Sequence, residues 1–345
     1  MTRAPRPSIK DVASAAGVSP TTVSDALSGK GRLPMETRLR VREVADRLGY
    51  RPSALARGLR NQRVGFLGFV LVPAAAASVS TVNYWIQLQT KAAEFALDRG
   101  YALVMLPPDP EGLTPVSFPV DGVIVVDPLR DDQVLATLRN QRVPLVTVGR
   151  DLTGGPEPWI DDDQTNGALK LLQAVAHPGD RVALVTLPTQ KSYLQDINSG
   201  VNSWRGHAPG YPIIHTVESV EGEEIDPVVA RLMQHEPPDL ILGANERITL
   251  SIHRALKSAG YRIPTDVRLA SMVESPDLER VQPPVSAAIQ HPVTSAEMAV
   301  TTIIDLIRGQ TPPPSTLIPM DLAIRASAPA VSECADQAVD DGVAS

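Results

Sequence analysis

Residues 8–27 read SIKDVASAAGVSPTTVSDAL, two short amphipathic helices hinged at Gly17. Ser8 stands where an N-cap belongs, with Asp11 three residues on, so that each side chain can take up a backbone N–H left unpaired at a helix start. Ile9, Val12, Ala13 and Ala16 follow at i, i+3, i+4 and i+7, which makes one face apolar. Gly17 permits the left-handed turn that stops the first helix. Ser19 and Pro20 then restart the chain as an N-cap and a first-turn proline. In the second helix, from about Pro20 to Leu27, Val23, Ala26 and Leu27 must face inward. Pro20, Thr21, Thr22, Ser24 and Asp25 therefore face out. Short hydroxyl side chains at the start of an exposed helix suit close approach to phosphates and base edges in a major groove. Taken alone, the same stretch also fits an ordinary helical hairpin with solvated hydroxyls.

Charge separates the two readings. The 345-residue chain carries a net charge of -7, but residues 1–63 hold 13 Lys and Arg against 5 Asp and Glu, a balance of +8. The remaining 282 residues hold 19 against 34, or -15. A basic head neutralises phosphates while an acidic body is held off the duplex. The length fits two or three domains. Hydrophobic content of 43% with few aromatics indicates a soluble globular protein. No apolar run is long enough to span a bilayer and no apolar core follows the charged N-terminus, so no membrane association and a cytoplasmic location are expected. The single cysteine, Cys334, excludes an internal disulfide and a cysteine-cluster metal site.

After Leu27 comes a Ser28-Gly-Lys-Gly31 loop, then a third helix entered at Pro34. Val41, Val44, Ala45 and Leu48 form its apolar stripe, and Gly49 is its C-terminal cap. Three helices with so few inward aliphatics make a marginal unit. Tyr50-Arg-Pro52 breaks the helix, and residues 53–60, SALARGLR, are too short to form a stable helix alone. That segment is expected to fold only on DNA or a partner.

The stretch IKDVASAAGVSPTTVSDAL, together with ADRLGYRPSALARGLR, resembles the head and hinge of the LacI/GalR family of bacterial transcription regulators. The resemblance extends more faintly to about Ala326. It implies a homodimer, with a tetramer left open, on a double-stranded DNA operator: two recognition helices enter successive major grooves and paired hinge helices widen the minor groove between them. Leu59 matches the family's leucine that wedges between central base pairs, unstacking a step and bending the duplex. By the same resemblance Ser8, Ser19, Lys30, Tyr50, Ala54 and Arg57 join the outward residues of the second helix as DNA contacts. Asp25 departs from the pattern, standing where the family commonly has arginine. An aspartate accepts from cytosine N4 but cannot fork onto guanine, so the operator is expected to differ at that base pair. An ion pair within the head is the other reading of Asp25.

Beyond Arg63, apolar runs at Val64–Val72, Tyr101–Leu106, Gly122–Val126, Val143–Val148, Val182–Leu187, Ile213–Val217, Leu240–Leu242 and Leu269–Val273 alternate with helical stretches such as Asn83–Arg99, Gln133–Asn140, Asn166–Ala176 and Ile248–Ala259. The alternation predicts an α/β core of parallel sheets wrapped by helices. So many strands call for two lobes. The resemblance implies two doubly wound lobes, as in periplasmic sugar-binding proteins, crossed three times by the chain. On that template the domains are a head at 1–51, a hinge at 52–63, and a core at 64–328, with a disordered tail at 329–345. One lobe takes about 64–159 and 293–318, the other about 160–290 and 319–328. Five prolines between Leu106 and Gly122 leave little room for a crossover helix there.

Motifs for catalysis are missing. No Walker loop, GxGxxG, HExxH or GxSxG sequence occurs, and the histidines are scattered. No catalytic residue, metal or cofactor is expected. Asp161-Asp-Asp163 reads as a crossover, with Asp163 capping the next helix. Parallel sheets bind ligands at the carboxyl ends of their strands, which nominates Asn83, Tyr84, Arg150, Tyr193, Asp196, Asn245 and Glu274 for a small-molecule effector. Aligning SYLQDINSG and LASMVESPD with the family puts Ile197 where an effector-binding arginine is usual and Val273 where a hydroxyl-binding aspartate is usual. Either Asp196 and Glu274 take over those roles, or the effector is not an ordinary sugar. The expected function is an effector-controlled, sequence-specific repressor. The alternatives are the same regulator without a small-molecule ligand, a solute-binding protein, or an enzyme on the same scaffold.

Overall fold

The structure is a computed structural model that describes residues 7–28, 33–50, 63–71, 82–113, 119–187, 190–207, 215–218, 225–234 and 237–331. The chain divides into two compact units, Met1–Gly65 and Phe66–Ser345.

Among its described residues the first unit has three helices: α1 Ile9–Ala16, α2 Pro20–Ser28 and α3 Met35–Leu48. Ser8 and Asp11 close a reciprocal capping box at the start of α1. Gly17, at φ +66, ends it in the left-handed region that only glycine enters without strain. Val12, Ala13, Ala16, Val23, Ala26, Val41, Val44 and Ala45 form the buried centre, with Ile9, Val18, Leu27, Leu33 and Tyr50 packed around it. Leu48, expected inside, is 38% exposed at the end of α3. The hinge, and with it Ala54, Arg57 and Leu59, lies outside the described residues, as does Lys30.

The second unit contains two six-stranded sheets. Its elements in chain order are β1 Phe66–Leu71, α4 Val82–Asp98, β2 Ala102–Leu106, β3 Gly122–Val126, α5 Gln133–Asn140, β4 Leu145–Val148, β5 Trp159–Asp162, α6 Gln164–Val175, β6 Val182–Thr186, α7 Ser192–His207, β7 His215–Glu218, α8 Ile225–Gln234, β8 Leu240–Gly243, α9 Glu246–Ser258, β9 Arg268–Ser271, α10 Pro276–Arg280, β10 Ser286–Ile289, α11 Pro292–Ile307, β11 Ser315–Ile318 and β12 Asp321–Ala323. The first sheet runs β11-β5-β4-β3-β1-β2, all parallel. The second runs β12-β10-β9-β8-β6-β7, parallel except for β12, which pairs antiparallel with β10. Each sheet is covered on both faces, the first by clusters that include Leu88 and Val300 on one side and Leu135 and Leu138 on the other. The second is covered by clusters around Leu171 and Ile197 and around Ile252 and Leu278.

The expected boundaries need two adjustments. The chain leaves the first sheet after Asp162 rather than at residue 159, because Trp159–Asp162 pair with β4 and with β11. Ala328 is fully buried in the second sheet's core and the Val331 amide donates to Ala174 O at 2.8 Å, so the ordered chain extends past residue 328. The proline-rich connection forms turns over its described residues 107–113, where Asp109 accepts from the Gly112 amide at 2.7 Å. Among the described residues no helix is long and apolar enough to cross a membrane.

Candidate functional site

In the head, the turn after Gly17 presents the start of α2. Ser19, Pro20 and Thr21 are exposed, while Thr22, Ser24 and Asp25 are half-buried. Ser19 Oγ accepts from the Thr22 amide at 3.1 Å and shares a 2.9 Å hydrogen bond with Thr22 Oγ1. One hydroxyl hydrogen fills that contact, and the other remains to donate outward. Ser8 is exposed but committed to Asp11, whose carboxyl the Ser8 amide and hydroxyl hold below the usual range. Tyr50 is half-buried against the head's core.

In the second unit the decisive geometry lies between the sheets. Each sheet reverses its winding at one point, between β1 and β3 in the first and between β6 and β8 in the second. A crevice for ligands forms beyond the carboxyl ends of strands at such points. Asp127 follows β3 and Lys191 follows β6. Lys191 Nζ lies 3.4 Å from Asp127 Oδ2, with the two side chains 9% and 13% exposed. Gly149, at φ +91, lets the loop after β4 pass Asp127 where an added Cβ would sit 3.1 Å from its Oδ1. Beside Gly149, Arg150 Nη2 donates to Asp196 Oδ1 at 2.7 Å and its guanidinium lies 5.6 Å from the Trp159 ring centroid. The Arg150 amide donates to Ser192 Oγ at 3.0 Å, and that hydroxyl donates to Asp161 Oδ2 at 2.9 Å.

Asp162 stands at the first crossing between the sheets. It accepts from the Tyr84 hydroxyl at 3.3 Å and from the His291 amide at 3.1 Å. His291 opens the second crossing, and its Nε2 lies 3.4 Å from Asp321 Oδ2 in the third. Burial dominates the titration here. It pushes Asp161 up to about 8, with the Asp127 charge adding to it. It raises Asp162 to about 6, against the opposing donors from His291 and Tyr84. Burial raises Asp127 as well, against the opposing charge of Lys191, which faces it. The Tyr84 hydroxyl is held well above its ordinary value by burial and by Asp162, Asp161 and Asp127.

Of the nominated effector residues, the structure brings Arg150 and Asp196 into contact and joins Tyr84 to the same region through Asp162. Tyr193 is half-buried against the second lobe's core. Asn83 sits in α4, accepting from Gln87 at 3.4 Å. Asn245 serves as the N-cap of α9, its side chain accepting from Ile248 N at 2.9 Å. Glu274 is taken by Arg325, which donates to both of its oxygens at 2.7 and 2.9 Å. Ile197 is fully buried in the second lobe's core. Asp163 caps α6, as its place in the acidic run predicts. Asp127, Asp161, Asp162, Lys191 and Ser192 were not nominated. The signal was present for Asp127 and Lys191, which follow β3 and β6 as charged residues. Asp161 and Asp162 were masked by the crossover reading of their run. No group of three or more His, Cys, Asp or Glu suited to a metal occurs among the described residues. The arrangement is built from charged and hydrogen-bonding groups paired within the chain.

Residues 8–53 match the model of bacterial regulatory proteins of the lacI family, and residues 177–328 match the periplasmic binding protein-like domain. The chain belongs to the lacI family of bacterial regulatory proteins. It is a DNA-binding transcriptional regulator. This lacI-family regulator is 28% identical over 340 residues to the HTH-type transcriptional regulator CelR of Thermobifida fusca, covering 92% of this chain and 97% of that one. It is 26% identical to catabolite control protein A of Staphylococcus epidermidis, covering 82% and 87%. Among solved structures, the lac repressor dimer bound to operator and the anti-inducer ONPF superposes with a TM-score of 0.76 at 20% identity, covering 94% and 99%. The CelR-cellobiose complex superposes with a TM-score of 0.67 at 23% identity, covering 93% and 100%. At these identities the superpositions establish the fold of the lacI-family regulator, a helix-turn-helix head and a core of two lobes.

Proposed function

We propose that this regulator is a homodimeric repressor of a two-fold symmetric operator, acting in the cytoplasm and controlled by a small molecule in the crevice between its lobes. The observation that carries the DNA half is the exposed first turn of α2, with Ser19, Pro20 and Thr21 outermost on a unit whose charge is opposite to that of the rest of the chain. Thr22, Ser24 and Asp25 follow on the same helix as base readers. The hinge, with Lys30, Ala54, Arg57 and Leu59, is assigned by resemblance to backbone contact and to the minor-groove wedge. The effector half is supported by the charged groups that meet at both winding reversals, and by a relative whose solved structure is named as a complex with cellobiose. Burial of Ile197 in the core argues against a sugar held through that position. The reading contains no catalytic step, metal or cofactor.

A salt titration of binding to a selected duplex, followed by fluorescence anisotropy, tests the DNA half. A head that makes six to ten phosphate contacts loses roughly 10³ to 10⁵ in affinity between about 50 and 200 mM salt. A flat response would remove the head as the DNA contact.

A further inference from the structure

Away from the three chain crossings, five polar contacts among the described residues join the lobes through residues 190–196. The Arg130 amide donates to Gln190 O at 2.9 Å. Lys191 pairs with Asp127, the Arg150 amide donates to Ser192 Oγ, Ser192 Oγ donates to Asp161, and Arg150 pairs with Asp196. The first-lobe partners come from the carboxyl ends of three adjacent strands, β3, β4 and β5. The Ser192 hydroxyl accepts from one strand's loop and donates its single hydrogen to the next strand. Lys191 and Ser192 are themselves buried, at 7% and 3% exposure. The side chains that would hold an effector are thus already satisfied by each other.

We propose that residues 190–196 form a built-in latch, so that the lobes of this regulator rest closed without a ligand and an effector must displace Asp196 from Arg150 to bind. The inference rests on the reading of the core as a two-lobed sensor. Charge burial then makes the latch respond to protons. Opening would return Asp161 to water and to the ordinary carboxylate range, whereas in the closed state burial lifts it to about 8. The closed state therefore binds the extra proton, and closure weakens progressively as pH rises from about 4 to about 8. The groups acting on Asp161 are Asp127 beyond β3, Asp162 in β5, Asp196 in α7 and Tyr84 in α4, with Lys191 beside its partner Ser192. Three of these are carboxylates, which reinforce the upward shift.

Hydrogen exchange measured by mass spectrometry on the dialysed full-length chain reads the latch directly, because the amides of Arg130 and Arg150 donate across the lobes. Both are expected to be protected without ligand. Ser192→Ala combined with Asp196→Asn is expected to speed their exchange about tenfold or more, while the amides of β3 and β4 keep their protection and show that the lobes remain folded. Asp161→Asn, which keeps a partner for Ser192 without a charge, is expected to retain protection at pH 9 where the parent chain loses it, after correction for intrinsic rates. Free exchange at both amides in the ligand-free parent would overturn the proposal. So would double-variant exchange equal to the parent's. DNA binding plays no part in the readout, so failure of the latch and failure of the repressor reading are distinguishable.

Discussion

The head and the interlobe crevice solve opposite problems. The head keeps a small apolar centre of valines and alanines and leaves Ser19, Pro20 and Thr21 exposed at a helix start. The crevice buries its working groups, so each must find a partner within the protein. Lys191 meets Asp127, Arg150 meets Asp196, and Ser192 meets Asp161. An exposed reader needs only a rigid frame, whereas a buried sensor must exchange internal partners for a ligand's.

Four changes break or sharpen that contrast. Val23→Asp puts an unpaired charge into the fully buried centre of the marginal head. Affinity for DNA is expected to fall by about three orders of magnitude while the core's melting transition stays in place. Coincident loss of both would show that the units do not fold independently. Arg325→Leu leaves Glu274, 23% exposed in its side chain, without its bidentate partner. The expected cost is roughly 1 to 3 kcal/mol in core stability by urea denaturation, and an unchanged midpoint would return Glu274 to the list of effector contacts. Asp161→Asn addresses pH. A carboxyl raised from 3.8 to about 8 stabilises the folded core at low pH, and that contribution is lost as pH climbs from about 4 to about 8. The variant's melting temperature is therefore expected to fall less over this range than the parent's, and parallel curves would contradict the burial of Asp161. Ser19→Ala has the smallest effect, about 1 kcal/mol from loss of the α2 cap, read as a lower midpoint for the head alone.

The head was legible because its signals are local. Capping by Ser8, the glycine stop at 17, the restart at Ser19 and the cap at Gly49 depend on residues within a turn of each other. Strands β1 to β4 were legible as apolar runs. The sequence reading missed β5, whose WIDD carries two carboxylates into a buried position, and β10, whose SAAI lacks bulk. It also missed β11 and β12, which are short and only partly covered. Antiparallel β12 joins the second sheet beside β10, two residues after β11 ends in the first sheet. In the crevice, reading each strand end by itself found Arg150, Tyr84 and Asp196 but could not pair them. Arg150 and Asp196 are 46 residues apart in the chain, and Asp127 and Lys191 are 64 apart. Asn245 and Glu274 were credited to a ligand because an N-cap or an ion-paired carboxylate looks the same in sequence as a free contact.

The central claim is that a basic helical head, doubled by symmetry, reads DNA under the control of an acidic two-lobed core. Selection of bound duplexes from a random pool by the full-length protein, at modest salt, tests it most directly. The account predicts enrichment of an inverted repeat whose half-sites lie about one helical turn apart. Recovery of no preferred sequence, or of a single unrepeated half-site bound by a monomer, would contradict it.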